Sequence, residues 1–173
     1  MQNSFLNWKM AVEFHGHACP GLAYGVRASE IGLELLNCQR SGDEEILAIV
    51  ETDACSVDGI QVVAGCTFGK GNLIFRDFGK QAFTFARRDN GEAVRMVMKR
   101  VNIEDRQEKI KFILEGPQEE ICTVQRVKVQ LPEKAKIFNS IRCEECGESF
   151  MESRGRLQDG KIVCLSCFQE YKR

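Results

Sequence analysis

Leu22, Val26, Ser29, Leu33 and Leu36 recur at helical spacing, which predicts a helix with one buried face. Pro20 suits its first turn, where a missing N–H leaves no partner unsatisfied. Gly21, Gly25 and Gly32 weaken that helix in isolation, so they imply close packing against a neighbour. Ahead of it, Trp8, Ala11 and Val12, with Met10 and Phe14 beside them, predict a short helix over 7–14. Ile46-Leu47-Ala48-Ile49-Val50 reads as a buried strand after a turn at Arg40-Ser41-Gly42-Asp43. Ser56 is expected to cap a helix through Ile60, Val62 and Val63, and the glycines of 65–72 suit a tight loop. Strands are expected over 73–78, 82–87 and 94–98, then an amphipathic helix over 102–114 and a last strand through Val124, Val127, Val129 and Leu131. Mixed helices and short strands make the fold class α+β, a mixed helix and sheet core with a small C-terminal module.

The 173 residues, 43% hydrophobic and 28% charged, allow one ordinary core and a small appendage but not two full cores. The expected division is a core over 1–132, a linker over 133–142 and a cysteine module over 143–173. No apolar run is long enough to span a bilayer, and the first residues lack the basic and apolar regions of a signal peptide. A cytoplasmic protein with no membrane contact is expected. The net charge of -1 gives no bulk attraction to nucleic acid. Nine cysteines, an odd number with two CxxC pairs, favour reduced thiols and metal ligation over a disulfide framework. Cys38 and Cys122 read as core thiols.

Cys143, Cys146, Cys164 and Cys167 form two CxxC pairs separated by seventeen residues. Each two-residue gap lets a turn aim both sulfurs at one ion, and four thiolates suit tetrahedral zinc. An iron–sulfur cluster is a rival with the same ligands. Phe150, Leu157, Ile162, Val163, Phe168 and Tyr171 offer only a miniature core, so the metal must supply much of the folding energy. A filled four-thiolate sphere leaves no position for a substrate, which makes this site structural or recognitional. Arg142, Arg154, Arg156 and Lys161 leave room for a nucleic-acid or acidic-protein contact, diluted by Glu144, Glu145, Glu148 and Glu152.

Both histidines of the chain fall in His15-Gly16-His17-Ala18-Cys19-Pro20. A helix opening at Pro20 would favour the Cys19 thiolate through its free N–H groups. Asp53 and Cys55, at the end of the predicted strand, are a second arm of the same site. His17, Cys19 and Cys55 form a candidate ligand set for a second transition-metal ion, zinc being expected, with a fourth position open to water or substrate. His15 is a further ligand, an orienting partner or a satisfied buried histidine. Local capping with buried thiols is the alternative for the whole cluster. Candidates for chemistry are Cys19, Asp53 and Lys70. The loop Gly65-Cys66-Thr67-Phe68-Gly69-Lys70-Gly71-Asn72 is not a P-loop, since no Ser or Thr follows a GxxxxGK, but Thr67, Lys70 and Asn72 could line a polar cleft in which Lys70 receives an anion.

Three stretches, Phe14-His15-Gly16-His17-Ala18-Cys19-Pro20-Gly21, Glu51-Thr52-Asp53-Ala54-Cys55-Ser56-Val57-Asp58-Gly59-Ile60-Gln61, and the loop 65–72, together resemble the formylmethanofuran dehydrogenase E-subunit family. The resemblance covers approximately 14–132 and is followed by a module similar to a treble-clef zinc finger. It implies an α+β core, commonly dimeric, with the histidine and cysteine motifs in a cleft. It places His17, Cys19 and Cys55 at a second metal-associated centre, with Asp53, Cys66 and Lys70 nearby. Gly59 stands where the family pattern has alanine, and is expected to loosen the helix without removing a ligand. The implied function is a cytoplasmic metal-binding protein, an accessory or assembly component linked to redox or molybdopterin-dependent metabolism, with a protein partner in a redox complex. The alternatives are a metal-dependent enzyme using the N-terminal cleft and a nucleic-acid-binding regulator acting through the zinc module.

Overall fold

The continuous apolar run at 46–50 becomes the strand β1 (Ile46–Val50), all five residues of which are buried. The computed structural model describes residues 2–172, and the chain divides into two compact units, Met1–Lys134 and Ala135–Arg173. In the first unit β1 lies inside a five-stranded sheet with β2 (Leu73–Phe75), β3 (Ala82–Arg87), β4 (Ala93–Met98) and β5 (Cys122–Val127), in the order β2-β1-β3-β4-β5. Only β1 and β2 are parallel, and a parallel pair needs a crossover. That crossover is α3 (Ser56–Val63). The other helices are α1 (Gln2–His15), α2 (Pro20–Leu35), α4 (Arg106–Glu115) and the single turn α5 (Gln118–Ile121). No helix among the described residues is long and apolar enough to cross a membrane.

Alternation along the strands sends Ile46, Ala48 and Val50, Phe83 and Phe85, and Val94 and Met96 into one cluster. The register stacks them in rows, Val50 opposite Phe83 and Phe83 opposite Met96. Ala23, Ala28 and Ile31 of α2, Ile60 of α3, and Ile110 and Ile113 of α4 close the cluster.

Element ends depart from the expected ones where side chains intervene. Helix α1 starts at Gln2, well before residue 7. Helix α4 starts at Arg106 because the Asp105 carboxylate accepts from the N–H groups of Gln107 and Glu108. Ser56 is not a cap. Cys55 holds the position before α3, and the buried Ser56 hydroxyl donates to Gln81 Oε1 at 3.1 Å. Strand β2 stops at Phe75 and β5 at Val127, so Val129 and Leu131 lie beyond the sheet. Of the stretch 133–142, Ser140–Arg142 forms a strand of the second unit.

Helices α2 and α3 meet backbone to backbone. A Cβ on Gly25 would stand 1.8 Å from the Ser56 carbonyl oxygen, and one on Gly59 would stand 2.6 Å from the Val26 nitrogen. Gly59 therefore does more than loosen its helix: it makes the space that α2 occupies. At the end of β1, Glu51 accepts two hydrogen bonds from Arg95, from Nε at 2.7 Å and Nη2 at 2.8 Å. The hydrogen bonds from Arg95 hold the Glu51 carboxyl below its ordinary value of 4.5, despite burial.

Gly25→Ala is expected to lower stability by about 3 kcal/mol or more, read by denaturant unfolding, since backbone cannot yield as a flexible side chain does. Glu51→Gln should cost about 2 kcal/mol near neutral pH. Because the folded-state pKa of Glu51 is depressed, its contribution is complete above the unfolded value and is lost as pH falls through the folded one. The difference in unfolding temperature between wild type and Glu51→Gln should therefore shrink below about pH 4.

Candidate metal centres

In the second unit, β6 (Ser140–Arg142) pairs with β7 (Ser149–Met151), a 3₁₀ turn spans Glu152–Arg154, and β8 (Arg156–Gln158) pairs with β9 (Lys161–Val163). Each hairpin presents one CxxC. The Gly147 N–H closes the first turn on the Cys143 carbonyl, and the Cys167 N–H closes the second on that of Cys164. All four sulfurs lie within 4.8 Å of one another, with Cys146 Sγ 4.0 Å from Cys164 Sγ. A tetrahedral ion with bonds of about 2.3 Å requires sulfurs about 3.8 Å apart, so the set fits a metal. Among the described residues of this unit only Cys143, Val163 and Cys164 are buried, with Phe150, Cys167 and Phe168 packed on them.

The four thiols also differ electrically. Backbone N–H groups of Cys146 and Cys164 pull Cys143 down to about 6, whereas the neighbouring sulfurs, Cys164 first, push Cys167 up to about 12. Four thiolates cannot ionise side by side without a cation to neutralise them. Three of the surrounding basic residues have local partners: Arg142 Nε donates to the Gly147 carbonyl, Arg156 Nη1 to that of Gly155, and Lys161 lies 3.6 Å from Glu145.

The first unit gathers His15, His17 and Cys19, whose ligand atoms again fall within 4.8 Å of one another. His15 ends α1, and Cys19 is the residue before α2. The Cys19 sulfur accepts from the Leu22 N–H at 3.3 Å, so it caps the helix. His15 Nδ1 lies 2.6 Å from Asp58 Oδ2, and Nε2 lies 3.8 Å from Cys19 Sγ. With Nδ1–H donating to a carboxylate, the Nε2 lone pair is turned toward the sulfur, the arrangement by which a carboxylate orients a metal-binding histidine. Gln61 Nε2 donates to the other Asp58 oxygen at 3.2 Å. His17 is exposed, its ring centroid 4.5 Å from that of His15.

Cys55 approaches from the head of α3. From the place a Cβ on Gly21 would occupy, its sulfur is 3.7 Å away and that of Cys19 is 3.8 Å away. Burial pushes the Cys55 thiol up, and its Cys19 neighbour adds to the shift. A cleft of about 420 Å³ opens alongside, lined in part by His15, Asp53, Cys55 and Asp58.

The glycine loop does not bring its polar residues to this cleft. Lys70 Nζ donates to the Ser41 and Gly42 carbonyls at 3.2 and 3.3 Å, near the start of β1, whereas the cleft includes Val50 at the other end. The buried Asn72 amide donates to the Asp43 and Ile46 carbonyls and accepts from the Thr67 N–H, so it builds the loop rather than a ligand site. Cys66 is fully buried, and burial pushes its thiol up to about 12. Cys38 packs on the core and Cys122 lies within it. Asp58, Phe68 and Phe75 belong to the cleft without standing out in the sequence. The signal for Asp58 is its place three residues after Cys55, within one turn of α3.

Removal of the C-terminal ion by a chelator, or Cys143→Ala, is expected to collapse the amide dispersion of residues 140–168 while amides of α2 and β3 keep their positions, because ligation supplies on the order of 10 kcal/mol to such a module. Heteronuclear NMR of the full chain reads both units at once.

Comparison with known proteins agrees with this division. Residues 136–173 match the prokaryotic dksA/traR C4-type zinc finger. A probable S-adenosyl-L-methionine-binding protein of Archaeoglobus fulgidus is 38% identical over 195 aligned residues, covering 93% of this chain and 52% of that protein. The chain thus spans about half the length of that relative. The crystal structure of a tungsten formylmethanofuran dehydrogenase FmdE-like protein from Syntrophus aciditrophicus superposes with a TM-score of 0.71, covering 95% of this chain and 91% of the other at 24% identity, and shows the same fold. Residues 14–141 match the family described as FmdE, molybdenum formylmethanofuran dehydrogenase operon; over that span, which includes both arms of the His/Cys cluster, the chain belongs to the FmdE family.

Proposed function

We propose that the chain is a cytoplasmic metal-binding protein with two centres, acting as an accessory or assembly component of redox metabolism, in line with the molybdenum enzyme operon for which its family is described. Zinc would occupy Cys143, Cys146, Cys164 and Cys167, closing that site and leaving it to folding and partner recognition. A second transition-metal ion, zinc again, would be held by His15, His17 and Cys19, with Cys55 beside them. The observation that carries the proposal is the convergence of three donor atoms within 4.8 Å next to an open cleft. The Asp58 carboxylate on His15 Nδ1 supports it, because that partner fixes the ring for a ligand's role. A homodimer is the assembly that the family resemblance implies.

The cleft favours a second reading, in which the same centre acts on a substrate. A bound ion would supply Lewis acidity there. Asp53, exposed at the cleft edge, would accept a proton. The name of the archaeal relative makes S-adenosyl-L-methionine one compound to test in the cleft.

Metal analysis of the purified chain decides the main point. Two ions per chain are expected, one lost in Cys143→Ala and the other in Cys19→Ala. Asp58→Asn should retain both but weaken the second by about 10–100-fold. A single ion that vanishes with Cys143→Ala and is indifferent to Cys19→Ala would overturn the second centre.

A further inference from the structure

The cleft beside the His/Cys cluster has two unlike walls. His15, Cys55 and Asp58 form one. The other is apolar, with the buried side chains of Val50 and Leu73 and the exposed rings of Phe68 and Phe75. Phe68 is 79% exposed and Phe75 46%, so flat apolar surface stands ready for contact. At about 420 Å³ the space suits a small organic molecule.

The charges that line this space are one-sided. Both Asp58 oxygens are engaged, by His15 and Gln61. The Asp53 carboxylate is exposed and has no hydrogen bond or ion pair to a side chain among the described residues. No Lys or Arg among the described residues lines the cleft. Lys70 is tied to the Ser41 and Gly42 carbonyls, and Arg76 and Lys80, whose backbones bond Val50 and Glu51, stand near the cleft without lining it. A dication held by His15, His17 and Cys19 would have one of its charges cancelled by the sulfur, and the two aspartates outweigh the charge that remains.

We propose that the cleft binds small organic cations carrying a flat apolar group, and discriminates against anions of the same shape. The Asp53 carboxylate attracts the positive charge, and ring faces hold both a cation and an apolar ring. The same carboxylates repel a ligand carboxylate or phosphate, which finds no cation among the lining residues to receive it. This inference rests on the cleft being the ligand site of the second metal centre, and names the class of ligand it takes.

Benzylamine, benzyl alcohol and benzoate share a ring and differ in charge at neutral pH. Each is titrated into the full, metal-loaded chain while the amide shifts of Ala54, Val57 and Leu73 are followed by NMR. Benzylamine should bind about tenfold more tightly than benzyl alcohol, and benzoate should leave the shifts unchanged. Asp53→Asn should bring benzylamine to within about twofold of benzyl alcohol without weakening the alcohol, and Phe75→Ala should weaken both. Benzoate binding as well as benzylamine, a ranking indifferent to Asp53→Asn, or no binding by any of the three overturns the proposal. The two readings fail separately. Cation preference retained in a Cys19→Ala chain whose wild type holds no second ion would sink the metal centre alone. Two ions with no charge ranking would sink the ligand class alone.

Discussion

The contact between the backbones of α2 and α3 determines where the chemistry of the first unit falls. With no side-chain layer at Gly25 and Gly59, the two helices approach more closely than side chains normally permit. Cys19 stands at the head of α2 and Cys55 at the head of α3, so drawing the helices together draws the two sulfurs together. The last residue of β1 leads directly toward Cys55, and α1 delivers His15 at its final turn. Helix N-termini present unpaired N–H groups, and one of these already rests on Cys19. The site is the shared end of three helices, two of which, α2 and α3, owe their separation to absent methyl groups.

What could be read from the residues alone follows the range of the interaction. The helix from Pro20, the strand at 46–50 and the two CxxC turns are specified by neighbours within a few positions, and they stand where the pattern puts them. The three glycines of α2 signalled close packing, and they face Cys55 at the head of α3, Ser56 of α3 and the Phe85 ring of the sheet. Ends were harder. Asp105 capping moves the start of α4 inward, and Ser56 gives its hydroxyl to Gln81, twenty-five residues away, instead of to its own helix.

Contacts across long stretches of chain were not legible. His15 finds Asp58 forty-three residues on, so its part in the cluster had three open answers in the sequence. Lys70 and Cys66 lie between α3 and β2, after α3 has carried the chain from the end of β1 back to its start. Closeness in sequence to the Asp53 and Cys55 motif could not say which end each residue would reach. The core takes Cys66, and carbonyls before β1 take Lys70. The two candidate centres differ for the same reason. The C-terminal one is assembled from two local turns with a scant core, so ion and fold depend on each other. The N-terminal one stands at the ends of three helices held by an extensive apolar cluster, so the fold of its surroundings does not depend on an ion.

The cap on α2 carries a consequence for which ions could reside there. A helix of sixteen residues ends in a partial positive charge at its N-terminus, and the Cys19 sulfur sits on that end. The partial positive charge at such a location works against a bare cation placed beside it. An ion loaded at this point is therefore best accommodated when sulfur cancels its charge, which gives Cys55 an electrostatic value beyond supplying one more bond. A centre of low net charge also loses less hydration on entering a partly apolar cleft. For the ion proposed at this centre, the helix would thus favour soft ions paired with thiolates over hard, strongly hydrated dications.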